Sequence, residues 1–288
     1  MFVLFTDTDC EITPKKAKEL NCNIISMPYT MDDKEIYPYQ DFEVFNAKEY
    51  YDKLRAGATP KTSGISPEAY IDYFEPHMKE GNDILYVHFS EAISGTFNAM
   101  RIAIEQLKEK YPERKVEVID TKAISVMSLF FVEKASQMLA EGKSVDEIKA
   151  WVDAEINHYA MYFFAEDLTF FARSGRVKAF AALLGNILGI KPIIYLNPEG
   201  SMENIEKVRG KNATISKILE YVRKKQDNLK DHKVYVGHTD CIDSVNIIVQ
   251  KLKDEYGDVN VEIMDINPTI GAHCGPGCIG IAFHSKER

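Results

Sequence analysis

The chain has 288 residues, 45% of them apolar, which is enough for two globular domains and excludes a wholly disordered protein. A formal net charge of -9 repels a phosphate backbone, so no nucleic-acid partner is expected. The longest apolar stretch, Phe180 to Leu196, is broken by Gly185, Gly189 and Pro192, which excludes a membrane span and with it integral membrane association.

Met1-Phe2-Val3-Leu4-Phe5-Thr6-Asp7 has no basic segment ahead of its apolar one and reads as a first strand rather than a secretory signal. A cytoplasmic location follows as the expectation, with the 5 cysteines reduced. Further β-rich runs at Asn23–Tyr29, Ile84–Phe89 and Val116–Ile119 are separated by helix-length segments, the order of a parallel sheet. Ser66 followed by Pro67 is an N-cap with proline in the first helical position, predicting a helix towards Lys79. Phe97, Met100, Ile104, Leu107 and Tyr111 recur at three- and four-residue steps and mark one face of the next helix.

A helix from Ser144 to about Asn157 ends in the apolar run Tyr159–Phe164, a candidate buried strand, and the domain boundary is placed near residue 158. Beyond it the chain predicts a helix over Ala179–Leu188, strands at Lys191–Tyr195 and Ile205–Val208, and a helix over Ala213–Lys225. A strand at Lys233–Gly237, a helix over Ile242–Tyr256 and strands at Val261–Asp265 and Cys278–His284 complete it. Successive strands without intervening helices predict a mixed sheet. The expected class is therefore α/β with two domains, 1–158 and 159–288.

Three loops stand out: Pro60-Lys61-Thr62-Ser63-Gly64, Ser94-Gly95-Thr96 and His273-Cys274-Gly275-Pro276-Gly277. Each combines hydroxyls or an imidazole with small residues that let a ligand approach backbone amides, the components of a dry anion pocket. Taken singly, Thr62, Ser63, Ser94 and Thr96 are ordinary caps and turn formers, and only the combination points to a site. Gly275-Pro276-Gly277-Cys278-Ile279-Gly280 matches a dinucleotide pattern, but it precedes a predicted strand rather than a helix, and no phosphate-binding loop for ATP occurs. His273, Cys274 and Cys278 lack the spacing of a zinc site, so neither a metal nor a cofactor is expected. A serine-dependent acyl hydrolase built on Ser94 and His273 is the alternative reading, although neither Ser90 nor Ser94 stands in a nucleophile elbow. The basic cluster Arg173, Arg176, Lys178 and Arg209 contrasts with the acidic whole and is a candidate docking patch.

At these residues the chain resembles the DegV family of bacterial fatty-acid-binding proteins. The resemblance rests on Thr6-Asp7-Thr8-Asp9, Pro60-Lys61-Thr62-Ser63, Ser90 through Thr96, Val118-Ile119-Asp120-Thr121, Asp167-Leu168 through Gly175-Arg176, Lys191-Pro192, and Gly271 through Gly277, in that order. It implies an N-terminal three-layer α/β/α domain with a parallel sheet, a C-terminal two-layer α/β domain with a mixed sheet, and one long-chain fatty acid bound between them. Carried over by motif, Thr62 and Ser94 would donate to the carboxylate and His273 would approach from the second domain. Ser63, Gly95, Thr96 and Gly275 belong to the same loops. Similar proteins are not enzymes alone. They present the acyl carboxylate to a separate ATP-dependent fatty acid kinase and hold the acyl phosphate, which links them to phospholipid synthesis.

Overall fold

The structure, a computed structural model, describes residues 1–175 and 189–288. The expected helix over Ala179–Leu188 and the docking candidates Arg176 and Lys178 lie outside the described residues. The first half contains strands β1 (Phe2–Asp7), β2 (Cys22–Ile25), β3 (Tyr29–Met31), β4 (Lys34–Ile36), β5 (Lys61–Thr62), β6 (Asp83–His88) and β7 (Val116–Asp120). Its helices are α1 (Pro14–Glu19), α2 (Ala47–Arg55), α3 (Pro67–Lys79), α4 (Thr96–Lys110), α5 (Val126–Ala140) and α6 (Val145–Glu155). The second half contains β8 (Tyr159–Phe164), β9 (Ile190–Leu196), β10 (Met202–Arg209), β11 (Val234–His238), β12 (Val261–Asp265) and β13 (Ile279–His284), with α7 (Thr169–Ser174), α8 (Lys211–Lys225), α9 (Ile242–Tyr256) and α10 (Pro268–Cys274).

Strands β2-β1-β6-β7 form a four-stranded sheet, parallel throughout. Alternation along β6 assigns its faces. Tyr86 packs on Phe74 of α3 and His88 on Phe97 of α4, which turns Leu85 and Val87 to the face covered by α5. Ser66 caps α3 by accepting the Ala69 amide at 3.2 Å, with Pro67 in the first turn.

Strands β10-β9-β8-β13-β11-β12 form the mixed sheet, antiparallel except for the β11–β12 pair. Tyr162, Phe164, Ile281 and Phe283 face an outer core shared with Ile215 and Ile218 of α8 and Val245 and Ile248 of α9. Met161, Phe163 and Ala282, one residue out of phase, join the core that continues through α5 into the first sheet. Helix α5 is thus enclosed by two sheets, which is why Val126, Met127, Leu129, Phe130, Phe131 and Val132 are all buried rather than only a stripe of them. Each such side chain contributes roughly 1.5–3 kcal/mol of burial.

The run expected as one strand over Asn23–Tyr29 is divided. Pro28 has no N–H for a ladder, and after it the chain leaves the parallel sheet for a three-stranded antiparallel sheet, β4-β3-β5. Thr62, expected in a loop, is part of β5, where it pairs with Tyr29. His273, also expected in a loop, lies in the last turn of α10. Asn267 caps that helix by accepting the Thr269 and Ile270 amides at 2.8 and 3.0 Å.

The halves are joined by polar contacts as well as by the α5 core. Tyr50 and Tyr51 of α2 donate to the carbonyls of Pro268 and Ile266, each at 2.7 Å. Glu133 of α5 accepts from Tyr235 of β11 at 2.6 Å and pairs with Lys16 and Lys233 at 3.1 and 2.9 Å. The buried guanidinium of Arg288 donates to the carbonyls of Lys122 and Ile156 at 2.7 Å, of Tyr159 at 3.2 Å and of Asn197 at 3.3 Å.

Candidate functional site: a cavity between the sheets

A cavity lies where the carboxyl ends of β1 and β6 meet the inner face of the mixed sheet. Ligands in open α/β sheets bind outside those strand ends. Met27, Phe89, Ile124, Met161, Phe163 and Ile266 are part of the apolar wall.

The sheet register shapes one side of the cavity wall. Phe163 of β8 is opposite Gly280 of β13, and Gly280 is opposite Gly237 of β11, so two adjacent positions of one cross-strand row carry no side chain. A Cβ at Gly237 would lie 2.5 Å from Ile266 Cδ1, and one at Gly280 would lie 3.3 Å from Phe163 Cβ. A glycine inside a strand weakens it unless something must come close to the backbone. In the sequence Gly280 stands out only as the last glycine of the rejected dinucleotide pattern and Gly237 only as the end of a predicted strand. Their position inside the β-rich runs around Val236 and Ile279 is the signal that could have found them.

The polar part of the lining draws on three elements. Thr62 Oγ1 of β5 and His273 Nε2 of α10 are 3.0 Å apart. Ser94, in the turn before α4, accepts the Thr96 amide on its Oγ at 3.3 Å. Gly95, the N-cap of the 15-residue α4, contributes no side-chain cap, and the Asn98 amide bonds the Gly95 carbonyl at 3.2 Å. Thr62, Ser63, Ser94, Thr96 and His273 all line the cavity.

The remaining candidates are placed differently. Thr96 is buried with its hydroxyl turned into the protein, where Oγ1 accepts the Ile65 amide at 3.2 Å. Ser63 Oγ donates to Glu35 at 3.3 Å. Gly95 is exposed and is not on the cavity wall. Gly275 is not on it either: it ends α10 at φ +67°, a conformation that favours glycine, and its carbonyl accepts the Thr239 hydroxyl at 2.7 Å. Arg173 lies over the Phe170 ring at 5.8 Å and lines a surface cleft with Lys61, Thr62 and His273. Arg209 is exposed at the end of the edge strand β10. Thr62 and His273 line both the cavity and the cleft, so they stand between the interior and the surface.

Acidic residues beneath the cavity were missed as site components. Asp7 accepts from Tyr86 at 2.9 Å, yet full burial pushes its carboxyl up to about 7. Glu11 accepts from Ser125 Oγ at 2.8 Å and from the Asn267 amide at 2.9 Å, and burial pushes it up to about 8. Between them in sequence, Asp9 lies on the cavity wall. Among the described residues no group of three or more His, Cys, Asp or Glu side chains is placed to hold a metal ion, and no helix is long and apolar enough to cross a membrane.

An α/β protein with a parallel and a mixed sheet, and between them a largely apolar cavity whose lining includes hydroxyls and an imidazole, has the architecture of a small-molecule binding protein. The sequence model of the DegV family, described as an uncharacterised protein family, matches residues 1–286, and the chain belongs to that family. It is similar to a DegV domain-containing protein of Clostridium perfringens, 33% identical over 282 residues, 98% of this chain and 97% of the relative. Its fold is similar to that of a DegV family protein from Thermus thermophilus described by its fatty acid binding, with a TM-score of 0.86, 26% identity and 99% of each chain covered. It is likewise similar to a fatty acid binding DegV family protein of Streptococcus agalactiae, with a TM-score of 0.85 and 25% identity, covering 100% of this chain and 99% of the other.

Proposed function

We propose that this chain binds one long-chain fatty acid in the cavity, with the tail against Met161, Phe163 and the glycine row and the carboxylate at Thr62, Ser94 and His273. The observation that carries this reading is the lining of the cavity: chiefly apolar side chains, with the donor-bearing Thr62, Ser94 and His273 from three separate elements among its polar members. An ionised carboxylate out of water is costly unless several donors meet it. A tail of ~14 methylenes contributes about 11 kcal/mol gross at 0.8 kcal/mol each, before ordering costs. The fatty acid binding of DegV proteins from Thermus thermophilus and Streptococcus agalactiae supports the ligand class.

In this reading the chain is a carrier rather than an enzyme. It offers the carboxylate to a separate ATP-dependent fatty acid kinase in the cytoplasm and retains the acyl phosphate, a precursor for phospholipid synthesis. The surface cleft behind Thr62 and His273 supports the division of labour, because a phosphoryl donor arriving there meets Lys61 and Arg173 before it meets the pair. Arg173, Arg176 and Arg209 are the docking candidates. Residues 1–158 and 159–288 are taken as the two domains that clasp the ligand.

Native mass spectrometry of the purified chain, followed by denaturation and identification of what is released, tests the first step. A long-chain acid near one per protein is the expected result. No bound lipid and no uptake of added oleate or palmitate would remove the reading. Adding ATP and a fatty acid kinase to the loaded protein tests the second: acyl phosphate forms only with both components present.

A further inference from the structure

Asp9 is, among the described residues, the acidic side chain on the cavity wall. It is only 6% exposed, and its backbone carbonyl is fixed by the Ser125 amide at 2.8 Å. Its carboxyl oxygen Oδ1 is buried without a hydrogen-bond partner. The neighbouring wall is aliphatic: Met27, Ile124, Val126 and Ile266 line the same cavity. Burial, reinforced by Asp7 and Glu11, pushes the Asp9 carboxyl well above its ordinary value and so favours the protonated form. A protonated carboxyl offers one O–H donor together with acceptor lone pairs.

The carboxyl already bonds the Asn267 side chain, but a plain alkyl tail passing it leaves Oδ1 unsatisfied, and an unsatisfied buried polar atom is unfavourable in proportion to its desolvation. An oxygen atom on the tail removes that penalty. The ligand head group has its own donors in Thr62, Ser94 and His273, and an anionic head is poorly served by an added acid. We propose that Asp9 is a specificity-determining residue for an in-chain oxygen, so that the cavity prefers a long-chain acid bearing a hydroxyl or keto group on its tail over the unsubstituted acid. This inference rests on the acyl-binding reading above and deepens it by naming the substrate class.

The test is a competition binding series on the full chain with stearate and its positional hydroxy isomers, the hydroxyl set near the head, at mid-chain or near the tail end. The expected result is that at least one isomer binds the wild type roughly ten-fold tighter than stearate. Asp9→Leu abolishes that ratio by strengthening stearate and weakening the hydroxy acid, whereas Asp9→Asn, which still donates and accepts, keeps most of it. Stearate binding more tightly than every isomer, or a ratio that survives Asp9→Leu, overturns the inference; the latter includes the case in which Asp9 meets the head group, since both ligands then weaken equally. If Asp9→Leu does not fold, the NMR resonance of the Asp9 carboxyl carbon in the wild type decides: it moves when the hydroxy acid replaces stearate, and an unchanged resonance overturns the proposal. Binding of neither stearate nor any isomer removes the acyl-binding reading and this inference with it, whereas stearate binding without hydroxy preference removes only the inference.

Discussion

Thr62 Oγ1 and His273 Nε2 are 3.0 Å apart although 211 residues separate them in the chain. The contact joins the small sheet of the first half to α10 of the second, so this part of the cavity lining exists only when both halves are in place.

In the proposed binding mode Thr62→Val removes one donor to the carboxylate while keeping the side-chain shape. Hydrogen bonds to charged groups are worth about 1.5–3 kcal/mol, so affinity for palmitate should fall roughly ten- to hundred-fold. Titration calorimetry measures it, and an unchanged dissociation constant would place the head group elsewhere.

Gly280→Leu introduces a side chain into the cross-strand row that forms the cavity floor, opposite Phe163 and Gly237. The gain from losing a strand glycine offsets the tight 3.3 Å approach of a new Cβ to Phe163, so the unfolding midpoint should change little while fatty-acid affinity drops at least about ten-fold. Loss of both together would mean that the row is a packed core instead.

Glu11 ties Ser125 to Asn267 across the two halves and is pushed by burial from 4.5 to about 8. Between those values the folded state keeps a proton that the unfolded chain has released, so this contribution is complete below about 4.5 and is lost as pH rises through about 8. Denaturant unfolding should therefore show stability falling with pH across that window. Glu11→Gln, an isostere of the protonated form, should flatten the fall.

Arg288→Met keeps an apolar stem but leaves the carbonyls of Lys122, Ile156, Tyr159 and Asn197 without their shared donor. A loss of about 2–4 kcal/mol in unfolding free energy is expected. A variant as stable as the parent would show that those carbonyls find other donors.

Ester turnover separates the carrier from a serine hydrolase. The purified chain should leave p-nitrophenyl acyl esters intact, and a rate abolished by Ser94→Ala would revive the hydrolase.

Short-range signals made much of the fold legible. Ser66-Pro67 announced α3, the periodic face from Phe97 to Tyr111 announced α4, and the β-rich runs announced the parallel strands. The same cap-and-proline signal occurs at Asn267-Pro268 and went unread, which left His273 in a loop rather than on a helix. Helix α5 carries no stripe to read, because two sheets cover it on both sides. For the site, the loops pointed to the right neighbourhood but not to which members face the cavity: Thr96 turns its hydroxyl inward, while Gly95 and Gly275 shape the backbone outside the wall.

By itself the sequence determined the α/β order, the capped helix starts and the residue types able to meet a buried anion, because propensities, caps and turn chemistry act over a few neighbouring residues. Only the tertiary structure decided that Thr62 meets His273, that Gly237 and Gly280 fall in one row on the wall of a cavity, and that Asp9 lies on the same wall. Those relations depend on strand register and on the packing of distant segments, and no local preference encodes a register or an empty volume.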